Sequence, residues 1–552
     1  MKPSTQIVAD MGRNLVPRSK TLHVARVVLR QLARRPGVPA HHAVAFAGEW
    51  LKILRGQSDL MPEKGDRRFN DTSWVHGRFN KAVMQTYLAA AREAYALTNE
   101  LELEGRDATS ARFLALSLIA ALSPSNNPLI NPVVRDAIRK TRGKNLAQGL
   151  YHMLGDQLNN RGLITMVDAT PFEVGRNVAC TPGQVVFRNE LLELIQYQPT
   201  TAEVYARPIL VVPPQINKFY VMDLSPDNSL ARYLVGQGFQ TFMVSWRNPT
   251  AQLQACGFAH YCDALEEAHA AVMEITGSDS VNWKGLCAGG ITSTLALARY
   301  AKQKKLASVN SLTLAVTLLD LGEIRKTNLG YFLDPEALEK RRAQVRKDGI
   351  LDSGSLAKMF AWIRPNDLVW NYWVNNYLLG KKPPAFDVLY WNSDATRLPA
   401  QLFMDFTDLA GRNPFSRGEP MALGKLQINP HDIDIDKFIV GGRTDHITPW
   451  QGCYRSVHIL GGKSEFVLVN SGHIQTLVAA PGKHRATYQI GTANPATAEA
   501  WDAASTEVTG SWWEHWSPWL AVRSGDKKRA PRALGSRKHK QLCAAPGTYV
   551  HG

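Results

Sequence analysis

The stretch Gly285-Leu286-Cys287-Ala288-Gly289 decides the fold, because its glycine spacing is that of a nucleophile elbow with cysteine at the centre. In such an elbow a short strand turns sharply into a helix and exposes the central side chain at the bend. The glycines remove Cβ atoms that would clash in so tight a turn. A cysteine at a helix N-terminus has its thiolate favoured by the helix dipole and by free N–H groups. Cys287 is therefore predicted to be a nucleophile suited to accept acyl groups from thioesters.

The residues on both sides of the elbow have the required patterns. Asp279 to Lys284 can form a short strand, and Ile291 to Ala301 carries apolar residues at helical spacing. The pentapeptide alone is weak support, because many buried cysteines are small apolar fillers. A base and an orienting acid must follow it in the right order.

Two later strands end in those residue types. Lys437 to Trp450 contains an apolar strand that runs into a glycine-rich turn ending at Asp445, and Glu465 to His473 is a second strand with the histidine just past its end. Nucleophile, acid and histidine follow one another in this order in α/β-hydrolases, which place their sites at the carboxyl ends of parallel strands. We predict Cys287 as nucleophile, His473 as general base and Asp445 as the residue that holds the imidazole tautomer.

Alternatives exist for the partners of the nucleophile. Asp445 could be a turn-forming aspartate, and His473 could be a surface loop residue. His446 is a rival base because it neighbours Asp445. Adjacent residues at a strand exit usually point apart, so we expect His446 to support the triad or the local structure rather than to act as the base.

An oxyanion hole requires one N–H from the residue after the nucleophile and one from the loop after an earlier strand. Ala288 meets the first requirement, and Arg207 to Val212 reads as the earlier strand. The loop Pro213 to Lys218 follows, and Ile216 is our candidate for the second N–H. The two prolines of this loop could equally stiffen it without any catalytic role.

Composition is that of a globular enzyme. The chain has 552 residues, 45% of them hydrophobic and 20% charged, and its length exceeds what one core usually holds. No run reaches the roughly 18 apolar residues of a membrane span, and no signal peptide is evident. The six scattered cysteines have neither metal-ligand nor disulfide spacing. We therefore expect a reduced, cytoplasmic setting, no metal and no transmembrane segment.

The net charge of +16 raises the question of nucleic-acid binding. The basic residues are dispersed, and neither zinc-finger spacing nor an RNA-binding aromatic signature is present, so no nucleic-acid partner is predicted. The densest basic clusters are Arg26 to Arg35 and Lys527 to Lys540. Such ends could attract a polyanionic ligand or an anionic surface, although solvated charge accounts for most of these residues.

The patterns divide the chain into two regions. Residues 1–185 are predicted to form a mainly helical N-terminal domain. Residues 186–552 alternate strands and helices, including a strand at Ser311 to Leu319, and are predicted to form an α/β-hydrolase catalytic domain with a parallel sheet. The tail after Trp519 loses its periodicity and is predicted to be extended or loosely packed.

Residues 322–430 interrupt the alternation and are predicted to be a helical lid insertion. Their aromatic side chains could line an acyl channel, form a dimer contact or make the core of the lid itself. These aromatics are Trp362, Trp370, Tyr372, Trp373 and Trp391.

Matching stretches along the whole chain give a specific family resemblance. They are Asp66 to Asp71 with Trp74, Pro213 to Tyr220 with Asp223-Leu224, Ser245 to Pro249, the elbow, Gly441 to Pro449, Gly472-His473, Gly510 to Trp513 and Pro546 to His551. The chain resembles polyhydroxyalkanoate synthases, most of all the class II enzymes that polymerise medium-chain (R)-3-hydroxyacyl-CoA. One departure is Leu286, where the family pattern has a smaller residue before the nucleophile.

The resemblance implies the same triad of Cys287, Asp445 and His473. It also implies polymerisation of hydroxyacyl-CoA into polyester with release of CoA, dimerisation, residence at cytoplasmic polyester granules and possible granule-associated protein partners. Coenzyme A thioester is then the substrate, and no metal or redox cofactor is implied. Two alternatives stay open: a hydrolase with the same triad, such as a polyester depolymerase or thioesterase, and a non-catalytic granule-coating protein. The sequence identifies no residue that binds the substrate.

Overall fold

The computed structural model describes residues 18–552 apart from Lys64, Arg161, Lys483 and His484. The chain divides into two compact units. The first contains the described residues from Arg18 to Ala169 together with Asn328–Ala337 and Ala357–Phe386, and the second contains the described residues of Thr170–Thr327, Leu338–Leu356 and Asp387–Gly552.

The first unit is helical. Its helices from the N-terminal part of the chain are α1 Arg18–Arg34, α2 Gly37–Arg55, α3 Arg78–Glu100, α4 Gly105–Ala121, α5 Pro132–Thr141 and α6 Lys144–Asn159. One small core surrounds Phe69, Trp74 and Met84. A second core joins Val134 and Ile164 to aromatic residues of the later segment Ala357–Phe386.

The predicted lid insertion does not form one separate body. Trp370, Tyr372 and Trp373 are buried in the second core of the first unit, whereas Trp391 is buried in the core of the second unit. These four aromatics are therefore core residues. The packing of residues 357–386 with the N-terminal helices explains why this segment departs from the α/β alternation.

The second unit is built on a sheet. Its strands are β1 Gly183–Arg188, β2 Leu192–Tyr197, β3 Glu203–Tyr205, β4 Ile209–Val212, β5 Thr241–Trp246, β6 Val281–Leu286, β7 Val309–Ala315, β8 Ile350–Leu351, β9 Leu398–Pro399, β10 Met421–Leu423, β11 Leu426–Ile428, β12 Asp436–Gly442, β13 Ser464–Val469, β14 Thr487–Ile490, β15 Thr506–Thr509, β16 Lys527–Arg529 and β17 Cys543–Ala544. In the part that the structure describes, the main sheet has the order β15-β14-β13-β12-β7-β6-β4-β5-β2-β1-β17.

The centre of this sheet is parallel. Strands β13, β12, β7, β6, β4 and β5 pair in parallel, and the strands outside them pair antiparallel. Every residue of β4, β5 and β6 is buried, as expected for parallel strands covered on both faces. The further helices of the chain are α7 Leu230–Gly236, α8 Phe258–Thr276, α9 Cys287–Lys302, α10 Pro335–Asp348, α11 Ser353–Ile363, α12 Asp387–Ser393, α13 Ala400–Arg412, α14 Trp450–Ile459, α15 His473–Leu477, α16 Ala498–Ala504 and α17 Trp512–Val522.

This topology is the α/β-hydrolase fold that the sequence predicts. The sheet unit begins earlier than the expected boundary at residue 185, because β1 starts at Gly183 and pairs with β2. The tail after α17 is more ordered than expected: β16 pairs with β3, β17 pairs with β1, and Val550 is buried. No helix in the described residues is both long and apolar enough to span a bilayer.

Candidate active site

The elbow places Cys287 at a strained bend between β6 and α9. Its backbone φ is +49°, a left-handed conformation that non-glycine residues seldom adopt and that is found at functional sites. Gly285 permits the bend, because a Cβ on it would lie 2.6 Å from the Cα of Gly290. The side chain of Cys287 consequently stands at the N-terminus of a 16-residue helix, where the helix dipole favours nearby negative charge.

The predicted acid and base are in direct contact. Nδ1 of His473 lies 2.6 Å from Oδ2 of Asp445, and both side chains are buried. The other carboxylate oxygen, Oδ1, accepts the main-chain N–H groups of Ile447 and Thr448 at 2.8 and 2.9 Å. Asp445 is thus fixed by its own turn and presents one oxygen to the imidazole.

The sequence reasoning missed a third member of this network, Thr448. Its hydroxyl donates to Oδ2 of Asp445 at 2.6 Å and lies 3.1 Å from Nδ1 of His473. A hydroxyl three residues after an aspartate in a turn is a recognisable local signal. Its contact with the histidine, 25 residues further along the chain, depends on the parallel pairing of β12 and β13.

The other predicted site residues lie around this group. Ala288 follows Cys287 in the first turn of α9 and is buried, as an oxyanion donor requires. Ile216 lies half-buried in the turn after β4. His446 is half-buried and follows Asp445 in the chain. Cys287, Asp445 and His473 lie close together in the structure. The catalytic roles of these three residues, like those of Ala288, Ile216 and His446, stay predictions.

Comparison with known proteins identifies the family. The family model described as Poly-beta-hydroxybutyrate polymerase (PhaC) N-terminus matches residues 65–234, and the one described as alpha/beta hydrolase fold matches residues 208–480. The chain is 44% identical over 536 residues to Poly(3-hydroxyalkanoate) polymerase 1 of Ectopseudomonas oleovorans, covering 97% of this chain and 95% of that one. The chain belongs to the poly(3-hydroxyalkanoate) polymerase family.

More distant relatives agree with this assignment. Poly(3-hydroxyalkanoate) polymerase 2 of Ectopseudomonas oleovorans is 42% identical, over 100% of this chain and 97% of its own. Poly(3-hydroxyalkanoate) polymerase subunit PhaC of Cupriavidus necator is 37% identical, over 92% of this chain and 86% of its own. The predicted polyester polymerase family and the α/β-hydrolase fold are therefore both confirmed.

Charge in this polymerase site is arranged as an ion pair. Burial alone would lower the pKa of His473, but the charges of Asp445 and Cys287 and hydrogen bonds to both raise it to about 10. Burial would raise the pKa of Asp445, but the imidazolium and the bonds from Thr448 hold it below its usual value. The imidazolium form of His473 beside the carboxylate of Asp445 is thereby favoured.

A second cysteine lies near the polymerase elbow. Cys453 is fully buried in α14, and its Sγ donates to the carbonyl of Thr448 at 3.7 Å. Burial, reinforced by the negative charges of Asp445 and Cys287, raises the pKa of this thiol. Among the described residues, no three His, Cys, Asp or Glu side chains are grouped so as to hold a metal ion.

Proposed function

We propose that the chain polymerises medium-chain (R)-3-hydroxyacyl-CoA into polyester and releases CoA, with Cys287 carrying the acyl group. The observation that carries the proposal is the elbow thiol beside the bonded pair of His473 and Asp445. The names of the relatives support the polymerising activity, and the sequence resemblance to class II enzymes implies the medium-chain class.

Loading is a thiol–thioester exchange. The thiolate of Cys287 attacks the thioester carbonyl carbon, the bond from that carbon to the CoA sulfur breaks, and the imidazolium of His473 gives its proton to the departing CoA thiolate. The N–H groups of Ala288 and Ile216 are proposed to stabilise the negative oxygen that forms during the attack. The exchange is nearly balanced in energy, so the thiol can load without a deep trap.

Elongation converts a thioester into an oxygen ester. The 3-hydroxyl of one acyl unit attacks the thioester carbonyl of another, His473 accepts the hydroxyl proton, and the sulfur leaves as a thiolate. A hydroxyl is a poor nucleophile until a base takes its proton, so one imidazole serves both steps. Only 9% of Cys287 and 6% of His473 are exposed, and this burial limits competing attack by water.

The decisive test uses purified protein with (R)-3-hydroxyacyl-CoA of four to fourteen carbons. Polymerisation predicts CoA release together with polymer, fastest at medium length, and an acyl adduct on the peptide that contains Cys287. Free hydroxy acid as the sole product favours the hydrolase alternative. Unchanged CoA release by Cys287→Ala contradicts the covalent mechanism and leaves the granule-coating alternative open, whereas Cys287→Ser should keep at most a trace of activity.

Two features of the cellular setting belong to the same proposal. The family resemblance supports a homodimer in the cytoplasm at the surface of polyester granules, where granule-associated proteins are possible partners. The net charge of +16 supports contact with an anionic surface. Sedimentation with and without substrate tests the dimer, and co-sedimentation with isolated granules tests the surface. A monomer throughout, or protein that stays in the supernatant, contradicts the corresponding part.

A further inference from the structure

The end of the described chain is held by a buried carboxylate. We call residues 547–552 the tail segment. Oε2 of Glu193, a fully buried residue of β2, accepts the main-chain N–H groups of Thr548 and Tyr549 at 2.9 Å each. Its Oε1 accepts the Thr548 hydroxyl at 2.8 Å. A Cβ on Gly547 would overlap Oε2, so the tail approaches this carboxylate as closely as only glycine permits.

An aromatic anchor holds the same segment. The hydroxyl of Tyr549 donates to the carbonyl of Asn189 at 2.8 Å. The guanidinium groups of Arg188 and Arg247 lie over the Tyr549 ring, 5.5 and 5.4 Å from its centroid. The tail segment is therefore held by specific side chains rather than by general apolar packing.

The tail segment also meets a lysine from the loop after β4. Nζ of Lys218 donates to the main-chain oxygens of Val550 at 2.7 Å and Gly552 at 3.2 Å. Only 5% of Lys218 is exposed, and burial lowers the pKa of its amine against an opposing effect of Asp394. A buried amine without hydrogen-bond acceptors is costly, so this arrangement of Lys218 depends on the tail.

Lys218 ends the loop that begins at Pro213 and contains Ile216. The middle of the loop is tied down by Gln215, whose side chain donates to Thr292 at 2.9 Å and whose carbonyl accepts the Thr396 hydroxyl at 2.7 Å. The carbonyl of Lys218 itself accepts the indole N–H of Trp391 at 2.8 Å. The lysine amine is the link from this loop to the tail segment.

We propose that the tail segment acts through Lys218 to position the oxyanion loop for the reaction, which makes Lys218 a positioning residue. The inference rests on the proposed function, because it assigns the second oxyanion donor to Ile216. Loss of the lysine contacts is expected to weaken stabilisation of the oxyanion and to leave the nucleophile intact. Substrate binding and thiol reactivity should then change little, while turnover falls.

The test compares Lys218→Met with Lys437→Met. Both lysines are buried, and Lys437 donates to the carbonyl of Ile435 at 2.7 Å at the start of β12, the edge of the sheet opposite to the site. In Lys218→Met, kcat for CoA release should fall about 10- to 100-fold, less than the roughly 100- to 1000-fold loss when an oxyanion donor is removed outright, with KM within about twofold. Lys437→Met should keep the wild-type kcat.

Alkylation of Cys287 by iodoacetamide separates positioning from general damage. The thiolate displaces iodide at a saturated carbon, and no oxyanion forms, so the alkylation rate in Lys218→Met should equal that of the wild type. Gly547→Ala changes the tail segment rather than the loop. This variant should likewise have a lower kcat and an unchanged rate of alkylation.

The outcomes are distinguishable. Wild-type kcat in both Lys218→Met and Gly547→Ala overturns the inference, as does a parallel loss of alkylation and CoA release in both, which would indicate a purely structural role. The proposed function is tested separately on the wild-type enzyme, before any variant is compared. An acyl label on a residue other than Cys287 contradicts that function.

Discussion

Gly289 packs so closely on the end of β4 that a Cβ on it would lie 2.5 Å from the carbonyl oxygen of Val212. The carbonyl of Pro213 is closer still. The first turn of the nucleophile helix and the start of the oxyanion loop therefore meet backbone to backbone, with no side chain between them. This contact fixes the distance between the two proposed oxyanion donors, because both lie within a few residues of it.

Gly289→Ala should disrupt catalysis through this contact. Neither partner of the added methyl group is a flexible side chain, so α9 or the loop must move. We expect a loss of kcat of at least 100-fold and a loss of stability of about 1–3 kcal/mol, the usual cost of overpacking. CoA release and thermal unfolding measure the two effects. Gly236→Ala is the control, because a Cβ there meets nothing within 4 Å; equal behaviour of the two variants contradicts the interpretation.

Thr448→Val should weaken the pairing of Asp445 with His473 while preserving the shape of the side chain. The substitution removes the hydroxyl that donates to Asp445 and lies beside His473. A hydrogen bond to a charged group contributes about 1.5–3 kcal/mol, so kcat should fall roughly 10- to 100-fold. The acid limb of the pH–rate profile should move to higher pH, because Thr448 helps to hold down the pKa of Asp445.

Thr448→Ser is the matched control for that prediction, because it keeps the hydroxyl and removes only the methyl group. It should restore most of kcat and return the acid limb to its wild-type position. A serine variant as impaired as the valine variant would show that packing, rather than the hydrogen bond, is what the site requires.

Protonation of His473 should make stability pH-dependent. Its folded-state pKa is raised above the ordinary value of 6.5, to about 10. The stabilisation from the imidazolium is therefore fully present below about pH 6.5 and is lost as the pH rises through the folded-state pKa. In Cys287→Ala the pair of His473 with Asp445 remains. The free energy of unfolding should therefore decline as the pH rises above 6.5, and this decline should end at or below pH 10.

Urea unfolding of Cys287→Ala and of Cys287→Ala/His473→Gln measures this decline. The difference between the two variants isolates His473, because other titrating groups, such as the buried Lys437 whose pKa burial lowers to about 8, are common to both. The stability difference should shrink toward high pH. A difference that grows with pH, or stays constant, contradicts a raised pKa of His473.

Local patterns predicted well the elements that carry Cys287, Asp445 and His473. The elbow and the two strands before Asp445 and His473 could be recognised because the turn chemistry and the strand periodicity are encoded in adjacent residues. Strand ends were less accurate: Ser311 to Leu319 was expected as one strand, but β7 ends at Ala315 because Val316 adopts a φ of +46°. A positive φ at a β-branched residue has no sequence signal.

Features that depend on distant contacts could not be predicted. Helical periodicity shows that residues 357–386 bury an apolar face, but not that Trp370 and Trp373 share a core with Val134. The loss of periodicity after α17 led to the prediction of a loose tail. The tail is instead anchored by Glu193 and Lys218, two single polar side chains that lie several hundred residues earlier in the chain. Such pairs are visible only once the sheet has brought them together.

Cys453→Ala should leave chain growth intact, which bears on whether polymerisation uses one thiol or two. This thiol is fully buried and its pKa is raised, so it stays protonated and cannot reach substrate without opening α14. We expect CoA release within about twofold of the wild type and a modest loss of stability, about 1 kcal/mol, from the small cavity.

Mass spectrometry of enzyme quenched during turnover should find the acyl chain on Cys287 and an unmodified Cys453. An acyl adduct on Cys453, or a Cys453→Ala variant that loads one acyl group but makes no polymer, would instead establish a mechanism in which the chain passes between two sulfurs.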